Sequence, residues 1–279
     1  ERAHRSLLLA ALADGRAAHR RTGSTGRPSP FHTLKQGLGQ LVDTLVARLE
    51  AAGADLRTSA EVTELAERTV QLADGQMLPA DAVVLAGGAR SSAQLLRGSV
   101  PQAADALAAV PLGSTSVVSL AWPAQSFDTP PASPGWLAAD PGPVSGLTAS
   151  SVKFAGRAPD GSVLVRVFVP GKRGALVDAP DAELVAAVLD HIRPLLGVHG
   201  APSLVQISRW HRVMPTYTVG HLQRAAAVDS AVQRAHPRWA VAGSALHGVG
   251  LPDCVADGRA RADAVLTACQ TAMTRVGNP

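Results

Sequence analysis

Gly243, Gly248 and Gly250, followed by Leu251-Pro252-Asp253, form the stretch of this chain best suited to holding a ligand. The apolar run Trp239 to Ala242 ahead of them reads as a buried strand, broken at Gly243. An alanine-rich helix begins at Leu251-Pro252, where the missing N–H of a first-turn proline costs nothing. Glycines at 248 and 250 let the backbone lie flat against a ligand. The helix start offers free N–H groups of Val249, Gly250 and Leu251, at the positive end of the dipole, to an electron-rich group. Asp253 suits the first helical turn, stabilised by the dipole, better than it suits acid or base work. The same pattern also serves as a tight strand-to-helix connection with no ligand, and by itself the stretch leaves both readings open.

Other reactive constellations are sparse. No Ser-His-Asp set, paired-carboxylate motif or metal box is evident, so neither catalytic side chains nor metal ligands are assigned. His221 and His247 are the candidate bases, with His211 behind them; each reads more readily as a structural histidine. Cys254 and Cys269, fifteen residues apart, pair with no histidine at a zinc spacing, and Cys254 reads as a buried spectator. Trp210 closes a strand and suits either a core or rim position or contact with a planar ligand. Gly37-Leu38-Gly39 is a decoy for a phosphate loop: it follows no strand and opens an amphipathic helix.

Positioning falls to a succession of helices and strands. Leu38, Leu41, Val42, Leu45, Val46 and Leu49 recur at helical spacing, and Gly53 stops that helix. Ala54–Thr58, Val62–Ala66, Thr69–Ala73 and Asp81–Ala86 read as strands, with Asp74-Gly75 as a turn. Ser91–Leu96 and Pro101–Ala108 read as short helices, Ser114–Trp122 and Val163–Val169 as strands, Asp181–Leu196 as a helix, and Leu204–Trp210 as a strand. Residues 123–145, rich in Pro and small polar residues, read as a surface excursion. Residues 1–30 read as a helical remnant and a polar connector, and the opening residue, Glu1, suggests a piece of a longer protein. Residues 90–205 form a second layer, a sheet with helices, inserted into the first domain.

Composition narrows the function classes. Apolar residues make up 46% and aromatics 3%, so the core is built from Ala, Val and Leu. A net charge of +4 tolerates an anionic partner, but the arginines are dispersed without interleaved aromatics, which argues against nucleic acid. A carboxylated small molecule or an anionic membrane surface is served as easily. No apolar run approaches the length of a membrane span. The two cysteines and the lack of a signal peptide make a reducing cytoplasm the default, with peripheral membrane contact and a homodimer left open.

Three stretches, in order, resemble one family. Pro30-Phe31-His32-Thr33-Leu34-Lys35-Gln36-Gly37-Leu38 is similar to the F-x-x-L-x-x-G-L segment of the porphyrinogen oxidases, members of the flavin-containing amine oxidase superfamily. Trp210-His211-Arg212-Val213-Met214-Pro215-Thr216-Tyr217-Thr218-Val219-Gly220-His221 is similar to their W-x-x-x-x-P-x-Y-x-x-G-H. Ala242-Gly243 through Gly248-Val249-Gly250-Leu251-Pro252-Asp253-Cys254 resembles their C-terminal flavin segment. The family's opening GxGxxG turn is absent, Gly87-Gly88-Ala89 replaces a Pro-containing turn, and Ser244 stands where many relatives have Asn. The resemblance therefore implies roughly the C-terminal 60% of such an enzyme.

That resemblance implies an α/β (α+β) fold: the C-terminal part of a two-domain FAD-dependent amine-oxidase-like fold, with a mixed-sheet substrate domain inserted in the FAD-binding domain. Residues 31–89 and 206–279 would be the middle and last segments of the FAD-binding domain, and 90–205 the substrate-binding domain. It implies FAD contacts at Val62, Trp210, Gly243, Gly248, Val249, Gly250, Leu251 and Asp253. Val62 would set main-chain groups against the adenine, although a core strand valine fits as well. The implied reaction is oxidation of coproporphyrinogen or protoporphyrinogen by O2 with release of H2O2, the composition tilting towards coproporphyrinogen. The propionates would lie against arginines that the sequence does not single out. The alternatives are another amine-oxidase-type flavoenzyme, such as a phytoene desaturase or polyamine oxidase, and a catalytically silent fragment.

Overall fold

A computed structural model describes residues 32–139, 142–171 and 175–276. The chain divides into two units, residues 1–56 and 57–279. In the first, helix α1 (Gly39–Ala51) ends in a paired C-terminal turn: Ala54 N–H donates to Leu49 O, and Gly53 N–H to Glu50 O, with Gly53 at φ 83°. None of its residues is buried, and the stripe Leu38, Val42, Leu45, Leu49 faces solvent. The strand expected at 54–58 does not form; that segment has no ladder partner and carries no regular structure.

The second unit opens with an antiparallel ribbon, β1 (Val62–Ala66), β2 (Thr69–Leu72) and β3 (Met77–Pro79). The β2–β3 turn is closed by Asp74, whose carboxylate accepts Gln76 N–H at 2.9 Å. Strand β4 (Val83–Leu85) pairs in parallel with β10 (Trp239–Val241), more than 150 residues later, Trp239 opposite Val83 and Val241 opposite Leu85. Helices α2 (Ala89–Leu96) and α3 (Pro101–Ala108) follow β4, and α6 (His221–Ala235) precedes β10. One apolar cluster joins Leu65, Leu96, Leu107, Val228, Trp239 and Leu246. Helices α2 and α3, within the span 90–205, therefore share a core with β10 and α6.

A five-stranded antiparallel sheet carries the second cluster. Its strands are β5 (Leu112–Pro123), β6 (Gly135–Leu137), β7 (Gly146–Ala149), β8 (Ser162–Pro170) and β9 (Leu204–Pro215), in the order β6-β7-β8-β5-β9. The single turn α4 (Ser150–Lys153) and helix α5 (Asp181–Leu196) complete this layer. Val118, Leu120 and Trp122 of β5 and Val163, Val165, Val167 and Val169 of β8 face α5, which buries Leu184, Val188, Ile192 and Leu196. Alternation then forces the intervening residues onto the other face. The excursion at 123–145 contains the edge strand β6, which its Pro content hid from pattern reading. The last helix, α7 (Leu251–Val276), follows the glycine-rich loop. No described helix is long and apolar enough to cross a membrane.

Candidate functional site

The glycine-rich loop, residues 242–250, is fixed from three directions. From β4, Leu85 O accepts Ala242 N–H at 2.9 Å. From α7, Asp257 accepts Gly243 N–H through Oδ2 at 2.9 Å and Arg261 Nε through Oδ1 at 3.1 Å. From the segment after β9, Tyr217 Oη donates to Ser244 O at 2.7 Å and accepts Gly248 N–H at 2.8 Å, and His221 Nε2 donates to Leu246 O at 2.9 Å. A carbonyl only accepts, so Nε2 carries the proton in this contact, and Nδ1 is buried without a hydrogen-bond partner among the described residues. The two rings stack, 3.7 Å between centroids and 12° apart.

Gly248 sits at φ 143°, and a Cβ there would fall 2.5 Å from Asp253 Cβ and 2.7 Å from its carboxylate. Only glycine fits. Gly250 needs no left-handed backbone; a Cβ on it would meet Asp253 Oδ2 at 2.9 Å and otherwise make ordinary contacts with Asp253 Cγ at 3.6 Å and Pro252 Cδ at 3.7 Å. The first intrahelical bond of α7 runs from Cys254 N–H to Gly250 O. The N–H groups of Val249, Gly250 and Leu251, ahead of that bond, donate to nothing among the described residues. Val249 and Leu251 are exposed, and the N–H groups without an acceptor among the described residues lie at the helix start, at the positive end of its dipole.

Beneath the loop, one arginine is shared by two carboxylates. Arg261 lies 3.1 Å from the carboxylates of both Asp257 and Asp229 and 2.7 Å from His247 Nε2, while His247 Nε2 is 3.1 Å from Asp229. Asp257 is buried; its two oxygens are occupied by Gly243 and Arg261. The Tyr217 phenol is held above its ordinary pKa, chiefly because the loop encloses its hydroxyl end. The Gly248 N–H acts in the opposite sense, and Cys254, Asp253 and Asp257 add electrostatic pressure against a phenolate.

The face of the large sheet turned away from α5 is open. Register aligns Trp210 with Thr115, Ser208 and Phe168 with Val117, and Gln206 and Arg166 with Ser119, so all eight side chains share that face. Trp210 is 52% exposed. The Arg166 guanidinium lies 5.8 Å from the Phe168 ring centroid. Arg209, by contrast, is on the α5 face and fully engaged with Asp181, Val177 O and Ala179 O.

Of the residues singled out in the sequence, Gly243, Gly248, Val249, Gly250, Leu251 and Asp253 form one loop and helix start. Trp210 lies on β9, whose continuation carries Tyr217 to that loop. Val62 begins β1, half-buried against the first cluster and paired with Leu72. His221 is a buried support and His247 part of the Arg261 network, while His211 Nδ1 is 3.2 Å from Asp178. Cys254, expected to be a buried spectator, is half-buried and its Sγ points to Gly248 O at 3.7 Å. Tyr217, Asp257 and Arg166 carried no assigned role. The one available signal was that Tyr217 is the only tyrosine in the chain and falls within the P-x-Y-x-x-G-H segment.

Residues 3–266 match the flavin containing amine oxidoreductase family. This chain belongs to that family. A coproporphyrinogen III oxidase from Propionibacterium freudenreichii subsp. freudenreichii is 58% identical over the whole chain, and one from Bacillus subtilis (strain 168) is 28% identical over 96% of it. The chain spans 58% and 57% of those two proteins' lengths. Among solved structures, a candidate protoporphyrinogen oxidase from Exiguobacterium sp. 255-15 superposes with a TM-score of 0.73 at 26% identity, over 91% of this chain and 57% of that one. A putrescine oxidase superposes with a TM-score of 0.65 at 18% identity, over 83% and 53%, and shows the amine-oxidase fold alone. The glycine loop fits the family's flavin: Gly248, packed directly on Asp253, sets the turn, and after it Val249, Gly250 and Leu251 offer N–H groups that an electron-rich ring edge can occupy.

Proposed function

We propose that this chain is the flavin-cradling and substrate-facing part of an oxidase that converts coproporphyrinogen III to coproporphyrin III. The observation that carries the reading is the loop Gly243–Leu251, with its unpaired N–H row, in a chain 58% identical to a coproporphyrinogen III oxidase. FAD, when bound, supplies the electron acceptor for a six-electron oxidation, with three O2 reduced to three H2O2. The chain's own residues bind and orient. Val249, Gly250 and Leu251 N–H groups stabilise negative charge at the flavin edge. Phe168 and Trp210 give a tetrapyrrole macrocycle apolar surface on the open sheet face, and Arg166 offers a bidentate partner for a propionate. His221 holds its proton against Leu246 O, which suits support of the loop better than proton abstraction.

Coproporphyrinogen is favoured over protoporphyrinogen because the two curated relatives bear that name. The reading also includes a cytoplasmic location, where Cys254 and Cys269 stay reduced. A peripheral membrane contact and a homodimer belong to the same proposal, supported by a net charge of +4 and the fold's exposed apolar side chains. The test uses the protein extended to the length of its relatives and a shift from anaerobic to aerobic conditions. Porphyrin fluorescence and peroxide are expected with coproporphyrinogen and not with a polyamine. Peroxide from the polyamine alone would overturn the assignment.

A further inference from the structure

The segment after β9 does more than connect. Gly220, at φ 86°, turns the chain sharply into α6, so that Tyr217 and His221 come face to face. Their three hydrogen bonds reach Ser244, Leu246 and Gly248, spaced two residues apart along the loop. Tyr217 uses both capacities of one hydroxyl: it donates to the carbonyl on the entering arm and accepts the amide on the leaving arm. The Gly248 peptide thus pinned lies directly before Val249, Gly250 and Leu251, whose N–H groups point free.

We propose that Tyr217, backed by the His221 ring, is a positioning residue that sets the flavin-facing edge of the loop through the continuation of the substrate-facing strand β9. The geometry gives the reason: Trp210 on the open sheet face and the Tyr217 hydroxyl belong to one continuous stretch of chain. A shift of β9 under a bound macrocycle is thereby transmitted to Gly248 and the donor row behind it. The proposal rests on the flavin reading of the loop, and the test separates the two.

Because Tyr217 is the only tyrosine, phenolate absorbance titrates this hydroxyl alone in the chain as it stands. The groups around it are Cys254, Asp253 and Asp257 on α7 and His221 on α6. The folded chain is expected to titrate at higher pH than the same chain in denaturant; coincident midpoints would show a solvated hydroxyl and overturn the clamp. In Tyr217→Phe, which keeps the ring stack, amide hydrogen exchange of residues 244–251 is expected to rise about tenfold, the effect of one lost hydrogen-bonded anchor. Exchange of β10 should hold. Unchanged loop exchange also overturns the clamp. At the relatives' full length, Tyr217→Phe is expected to weaken FAD binding about tenfold. Faster exchange with unchanged FAD affinity overturns the link to the flavin. A parent enzyme that holds no FAD overturns the functional reading, while the two measurements on the chain still decide the clamp.

Discussion

Gly248 and Gly250 look equivalent in the sequence, and the structure separates them. The backbone at Gly248 is left-handed and its missing Cβ is occupied by Asp253, whereas a Cβ at Gly250 would be crowded only by a carboxylate oxygen that can rotate away. Gly248→Ala should therefore deplete bound FAD far more than Gly250→Ala, with a stability loss of about 1–3 kcal/mol from the strained backbone. Flavin absorbance per mole of purified full-length enzyme checks the order; equal retention in both variants would misplace the loop. Arg166 allows a second expectation at this scale. Arg166→Ala should raise KM for coproporphyrinogen about tenfold while kcat stays near the parent value, the pattern of a lost ground-state carboxylate contact. An unchanged KM would remove Arg166 from the substrate face. Tyr217 contributes a pH dependence. Its folded pKa is raised, so the stability it supplies is complete below the ordinary value of 10.0 and is lost as pH climbs through the folded value. Alkaline melts of Tyr217→Phe should lack that component.

Among the elements, α7 and β10 hold the loop through one buried carboxylate. Asp257→Ala takes one of its two carboxylates from Arg261 and leaves Gly243 N–H without its acceptor, and is expected to cost about 1–3 kcal/mol, the penalty of an unsatisfied donor in a part-buried site. Thermal unfolding reads this directly; a melting point within a degree of the parent would show that Arg261 is neutralised well enough by Asp229 alone. At this scale the long elements were legible. Helix α5 matches its sequence bounds, Asp181–Leu196, because acidic first-turn residues and a 3.6-residue apolar repeat agree there. The ribbon β1–β2 and strand β10 were readable from alternation and from a short apolar run. Strands β6 and β7 were not, since three or four residues among prolines and glycines leave no period to detect. Ala54–Thr58 alternates in sequence but finds no neighbouring strand, and alternation without a partner makes no ladder. The site was legible where glycine spacing announced it. It was illegible where it depends on long-range contact: Tyr217 and Asp257 matter because of partners 31 and 14 residues away, which no local pattern encodes.

For the molecule as a whole, two apolar clusters make up the core, one that takes in Trp239, Ala245 and Leu246 and one between the large sheet and α5. The chain spans under three-fifths of its curated relatives, and its sequence holds no strand-GxGxxG segment for a dinucleotide pyrophosphate. By itself the 279-residue chain is expected to purify colourless and to bind FAD weakly. A stoichiometric yellow preparation would show that the loop and its clamp suffice.

The most direct measurement is anaerobic reduction of bound flavin in the protein at its relatives' full length. Coproporphyrinogen added without O2 should bleach the oxidised flavin absorption within the enzyme's turnover time, and readmitted O2 should restore it with release of H2O2. Flavin that stays oxidised with coproporphyrinogen, yet bleaches with putrescine, would contradict the proposed function.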